Sequence, residues 1–210
     1  MKKLYILVAA TLLLAGAAQA QNRFDASVFG GLTFNQIDGD DAGGYMNWGL
    51  RGGVGTSFTL GEDARSPWRM VVELAFTQKG SQIGSESSFT RLISLDYVEL
   101  PLMMSYTALD NRLRVAAGVA PAVLVGARVT DDGMRNSQQE GKYLRFDWLP
   151  VTFSVRYLFT YNLAVEARFQ TSLLSVYDNP SAGTYRIWRE NMGAFNRSVT
   201  IGLSYSLFNQ

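Results

Sequence analysis

From residue 23 onward apolar and polar residues alternate with a period of two, and no window carries a convincing helical period. The alternation predicts eight strands, at 23–35, 48–59, 68–79, 92–106, 112–128, 146–157, 162–172 and 195–208. Each reaches the roughly 9–11 residues that a tilted strand needs to cross a bilayer. Between them lie connections of 12, 8, 12, 5, 17, 4 and 22 residues, so every odd connection is longer than every even one. Outer-membrane barrels show this asymmetry, with short periplasmic turns and long extracellular loops.

Parity sorts the side chains into two faces. One collects Val28 and Leu32, Leu50 and Val54, Leu74, Leu100 and Met104, Val151 and Phe153, and Ile201 and Leu203. The other is small or polar: Ser27, Gly31 and Thr33, then Gly53, Gly55 and Ser57, then Thr200, Gly202 and Ser204. A narrow lumen accepts the second face and lipid accepts the first, whereas a soluble lipocalin-like carrier needs the reverse. Aromatic positions point the same way. On the apolar parity Phe24, Phe58, Trp68, Tyr106, Tyr157, Tyr161 and Tyr205 fall at the short-turn end, and Phe34, Trp48, Phe76 and Phe169 fall towards the long loops. Two aromatic girdles around an aliphatic band are what the two membrane interfaces favour.

Eight charges lie on the small/polar parity: Asp25, Arg51, Glu73, Glu99, Arg114, Arg156, Glu166 and Arg168. An eight-stranded barrel is just wide enough for side chains to fill, and enclosed charges must pair. The expectation is a structural salt-bridge network that plugs the lumen and excludes a general diffusion pore. Histidine and cysteine are both absent, which removes the commonest general base and the thiol nucleophile. Neither Lys79 nor Lys142 is read as lying near a Ser on the inward parity. No catalytic residue, cofactor or metal site is therefore expected.

The chain begins with Lys2 and Lys3, an apolar run from Leu4 to Ala17, and Ala18-Gln19-Ala20. This reads as a cleaved signal for Sec export, 1–20, followed by one barrel domain, 21–210. Without cysteine there is neither a disulfide nor a lipid-acylated end. The balance of 19 basic and 18 acidic residues gives no support for nucleic-acid binding.

Two long connections hold further candidates. "QIDGDDAGGY" gathers Asp38, Asp40 and Asp41, oxygen ligands of the kind Ca²⁺ takes, though a solvated Asp/Gly turn is the simpler reading. "YDNPSAGTYRIWRENMGAF" brings together Tyr177, Tyr185, Arg186, Trp188 and Arg189, the residue types enriched at binding interfaces. This loop is the candidate surface for an envelope protein partner.

The segments "GLTFNQIDGDDAGGYMNWGLRGGVG", "ELAFTQKGSQ", "LDYVELPLMMSY" and "RVAAGVAPAVLVGA" together resemble the PorT-like outer-membrane β-barrel family of Bacteroidota. Gln78-Lys79-Gly80 and Tyr97-Val98-Glu99-Leu100-Pro101 stand at that family's characteristic strand positions. The resemblance implies an integral outer-membrane barrel without a catalytic signature, and through the namesake a link to type IX secretion. Many such barrels end on an aromatic residue recognised by the barrel assembly machinery, whereas here Phe208 is followed by Asn209 and Gln210. The expected fold is all-β: an eight-stranded antiparallel up-and-down transmembrane β-barrel, surrounded by outer-membrane lipids, with both termini periplasmic. Its expected role is structural or interactive, possible assistance to secretion included. The alternatives are a soluble periplasmic lipocalin-like carrier and a transporter of small hydrophobic molecules opening between strands.

Overall fold

A computed structural model describes residues 24–39, 44–60, 66–84, 90–109, 112–178 and 193–207. The segment 1–20, read above as an export signal, lies outside them. The strands are β1 (Phe24–Asp38), β2 (Asn47–Thr59), β3 (Trp68–Ile83), β4 (Arg91–Glu99), β5 (Leu102–Ala108) and β6 (Leu113–Val119). They continue with β7 (Ala122–Asp131), β8 (Met134–Arg135), β9 (Phe146–Asp147), β10 (Pro150–Leu158), β11 (Leu163–Ser172) and β12 (Phe195–Ser206). One short helix, α1 (Ser137–Glu140), lies between β8 and β9.

Hydrogen-bonded neighbours run β1-β2-β3-β5-β6-β10-β11-β12 and return to β1, which closes a barrel of eight staves, all antiparallel. Following paired residues around the ring from Asp25 through Ser57, Val71, Met103, Gly118, Thr152, Gln170 and Ser198 arrives at Asn35, ten residues along β1. Eight strands with a stagger of ten residues fix a tilt of about 41° and a backbone radius of about 8 Å, given ordinary strand spacings. From Phe24 to Phe34 the chain therefore climbs about 25 Å along the barrel axis, the height of the apolar band of an outer-membrane barrel.

The apolar parity faces outward. Leu50, Val54, Leu74, Ile201 and Leu203 are all exposed, and Trp48 is 71% exposed. Aromatic pairs mark the short-turn rim: Phe24 stacks on Phe58 at 6.3 Å and Trp68 meets Tyr106 edge-on at 5.0 Å. An apolar wall around buried charges is the inverse of a lipocalin, so the arrangement does not favour a soluble carrier.

Three staves differ from the continuous strands expected. Pro101, Pro121 and Pro150 lie side by side across them and have no N–H to give to the ladder. The first two separate β4 from β5 and β6 from β7. Their carbonyls still accept, from the amides of Glu73, Leu100 and Ala120 at 3.0, 2.9 and 2.8 Å, so the wall stays closed.

Two extra residues then reverse the parity. Tyr97 opposes Leu124 but Asp96 opposes Gly126, which leaves Val125 as a bulge and turns Val129 inward. Val119 opposes Val151 but Ala122 opposes Asp147, so the Trp148-Leu149 step adds one residue and Asp147 faces the lumen.

At the long-loop end the pattern changes character. In "RLISLDYVEL" the apolar residues Ile93, Leu95 and Tyr97 point in, and from Val98 onward the apolar residues point out. Ile37, Val129 and Val176 join the first three in a buried cluster, against which Leu124, Tyr143 and Tyr177 pack. Apolar-in packing is that of a water-soluble sheet, so this end of the barrel carries a cap with its own core. The β7–β8 hairpin and α1, neither of them expected, belong to it. Asn136 caps α1 by accepting from the Gln139 amide at 3.3 Å.

Candidate functional site

All eight charges expected in the lumen are there, and the structure joins five of them into one cluster. Glu73 on β3 accepts from Arg51 on β2 at 2.9 Å and from Arg168 on β11 at 2.9 Å, with Arg156 on β10 at 3.5 Å. Glu166 on β11 takes Arg168 Nε at 2.7 Å and also pairs with Arg156. Four staves are thus tied across the lumen at mid-height by guanidinium forks that each reach a carboxylate geometrically.

The glycines of β2 make room for this. A Cβ at Gly55 would come within 3.1 Å of Glu73 Cγ, and one at Gly53 within 2.8 Å of Phe29 Cζ. Phe29 lies under Arg51, whose guanidinium carbon is 4.5 Å from the ring centroid.

The remaining three expected charges sit above and below. Towards the long loops Glu99 takes Lys79 Nζ at 2.7 Å, Thr77 Oγ1 at 3.0 Å and Gln170 Nε2 at 3.0 Å. Towards the short turns Asp25 faces Arg114 at 3.4 Å and accepts from Ser206 Oγ at 3.3 Å.

Among the described residues the lumen holds three further charges, Arg69, Lys79 and Asp147. Arg69 and Lys79 share the inward parity of Glu73, so simple counting along β3 finds them. Asp147 was hidden by the parity reversal at Trp148-Leu149. It is 2% exposed and accepts a hydrogen bond from Ser172 Oγ. The reading of Lys79 also needs correction, because it points inward two residues from the buried Ser81. Its Nζ pairs with Glu99 at 2.7 Å.

The loop candidates fare unevenly. Tyr185, Arg186, Trp188 and Arg189 lie outside the described residues, as do Asp40 and Asp41. Tyr177 is half-buried in the cap, edge-on to Tyr143 at 5.4 Å and donating to Gln139 Oε1 at 3.0 Å. Asp38 pairs with Arg197 at 2.6 Å and accepts from Gln36 at 2.8 Å, so its oxygens are occupied by the protein itself.

The family model described as outer membrane protein beta-barrel domain matches residues 18–178. Among solved structures the chain is similar to Ail, the attachment invasion locus protein of Yersinia pestis, with a TM-score of 0.51 and 11% identity over 88% of this chain and 99% of that one. It is likewise similar to Neisserial surface protein A, with a TM-score of 0.51 and 11% identity over 86% of this chain and 96% of that one. At such identities these likenesses concern the fold alone. No curated protein matches in sequence.

Proposed function

This chain belongs to the outer membrane protein beta-barrel domain family, and from that premise we propose a non-enzymatic role: a closed envelope barrel that acts through its long-loop face. The observation that carries this reading is the division of labour along the barrel axis. The lumen is spent on ion pairs tying the staves together, whereas the long-loop end holds a folded cap with a core of its own. A cap of this kind can present a shaped surface, and a lumen so filled offers no passage.

On this reading the short turns and both termini lie in the periplasm after Sec export. The loop containing Tyr177, Tyr185, Arg186, Trp188 and Arg189 then belongs to the outer, partner-binding face. The narrower role, PorT-like assistance to secretion, draws its support from "ELAFTQKGSQ" and "LDYVELPLMMSY", which lie on the adjoining strands β3 and β4–β5. Affinity purification from native membranes tests both levels. Secretion components that co-purify, and that are lost when residues 179–192 are replaced by a Gly/Ser linker, support the narrow role. An envelope partner outside secretion, lost in the same way, supports the general role alone. Recovery as a bare monomer removes the partner-binding reading.

A further inference from the structure

We propose that the short-turn mouth of the lumen binds a small tetrahedral oxyanion, inorganic phosphate or a phosphate ester, held by Arg69 and Arg114 with the Ser105 hydroxyl. A narrow cleft is lined by Arg69, Arg114, Arg156, Ser57, Ser105 and Ser154, with Val71, Met103 and Ala116 forming its apolar wall. Arg156 is already paired with Glu166 and Glu73. The other two guanidiniums are not balanced.

Arg69 Nε donates to Ser57 Oγ at 3.2 Å and pairs with no carboxylate among the described residues, while Arg114 reaches Asp25 across 3.4 Å. Among the described residues at this mouth two guanidinium charges therefore face one carboxylate. A second observation concerns the same space: Ser105, which lines it, is 3% exposed, and its hydroxyl has no partner among the described residues. The Nε–H of Arg114 is equally without an acceptor. Asp25 Oδ1 also lacks a partner, but Asp25 does not line the cleft, and one carboxylate cannot neutralise both arginines.

Buried donors without acceptors and an unmatched positive charge are costly together, and an anion relieves both. Two planar forks and one hydroxyl converging on a single space suit a group that presents three or four oxygens. The cleft is narrow, so only the anionic group enters, whether free or at the end of a longer molecule.

Isothermal titration of the folded full barrel in nonionic, phosphate-free detergent tests the site, with inorganic phosphate and glycerol 3-phosphate as probes. Saturable one-site binding is expected, weakened about tenfold by Arg69→Gln and by Ser105→Ala for the loss of one charge-assisted hydrogen bond. Arg128→Gln, at the opposite end, should leave it unchanged. Heat-modifiable gel mobility confirms that each variant is folded. Tighter binding of the ester points to a lipid headgroup as the natural source, and equal binding points to free phosphate. Absence of saturable binding by both probes, or binding insensitive to both mouth variants, overturns the site. None of this depends on a partner at the long-loop face, so the two ideas fail separately.

Discussion

Glu73 sits where three guanidiniums converge, and its neighbour Glu166 already serves two of them. Glu73→Gln keeps the shape of the side chain and removes the charge, leaving three buried arginines against one carboxylate. Breaking a buried pair in this way costs about 3–5 kcal/mol. Adding Arg51→Gln should recover part of that loss, because it removes one of the stranded charges. Urea unfolding from lipid vesicles measures both, and a loss below about 1 kcal/mol for the single variant would mean that water screens the cluster as it screens surface pairs. The lipid face sets a complementary rule. Ile201 pairs with Leu32 and Ala167, between the two aromatic rims, whereas Leu163 pairs with the rim residue Tyr205. The same unfolding assay should give about 2–4 kcal/mol for Ile201→Arg and only about 0–1 for Leu163→Arg. Equal costs at the two depths would put the membrane elsewhere on the barrel.

At the scale of elements, the eight staves and eight of the lumen charges are legible because parity is a local, periodic signal. What escaped is what interrupts the period. Val125 and the Trp148-Leu149 step each add one residue, and nothing in their side chains announces it, so Val129 and Asp147 were assigned to the wrong face or to none. The change from apolar-in at Ile93, Leu95 and Tyr97 to apolar-out at Val98 was written in the sequence. A single parity rule does not hold along the whole strand, because the solvent outside changes from water to lipid. The tip of the cap hairpin is less legible for another reason, since beyond Val129 it is held by ion pairs. Asp131 accepts from Arg91 at 2.6 Å and from Asn136, and Glu140 accepts from Arg135 at 2.9 Å and from the Val129 amide. The hydrogen bonds from Arg91 and Arg135, respectively, hold these two carboxyls below their ordinary pKa values. A depressed carboxylate stabilises the fold above its unfolded pKa, and that contribution is lost as the pH falls through the depressed value. Hydrogen exchange over 131–145, normalised to intrinsic rates, should therefore be flat near neutrality and rise only below about pH 4. A rise between pH 5 and 7 would show that other groups hold the hairpin.

On the scale of the whole molecule, a barrel of about 8 Å radius leaves an interior that side chains fill. This one is filled by two kinds of obstruction along its axis, ion pairs and an apolar cap. The Arg51–Glu73–Arg168 cluster crosses it at mid-height, and Leu95, Tyr97 and Val129 close it with an apolar cap towards the long loops. The two obstructions differ in kind and act in series, so removing one leaves the other intact. Purified protein in planar bilayers should accordingly show no steady conductance. The triple variant Arg51→Ala, Glu73→Ala, Arg168→Ala should stay closed as well, because ions that pass the emptied mid-section still meet an apolar constriction. Only when Leu95→Ser and Tyr97→Ser are added should steady current steps appear, with heat-modifiable mobility confirming that each barrel remains folded. Conduction by the triple variant alone would show that the cap leaks and that the ion pairs are the sole seal. Conduction by the unaltered protein would remove the closed-lumen reading altogether.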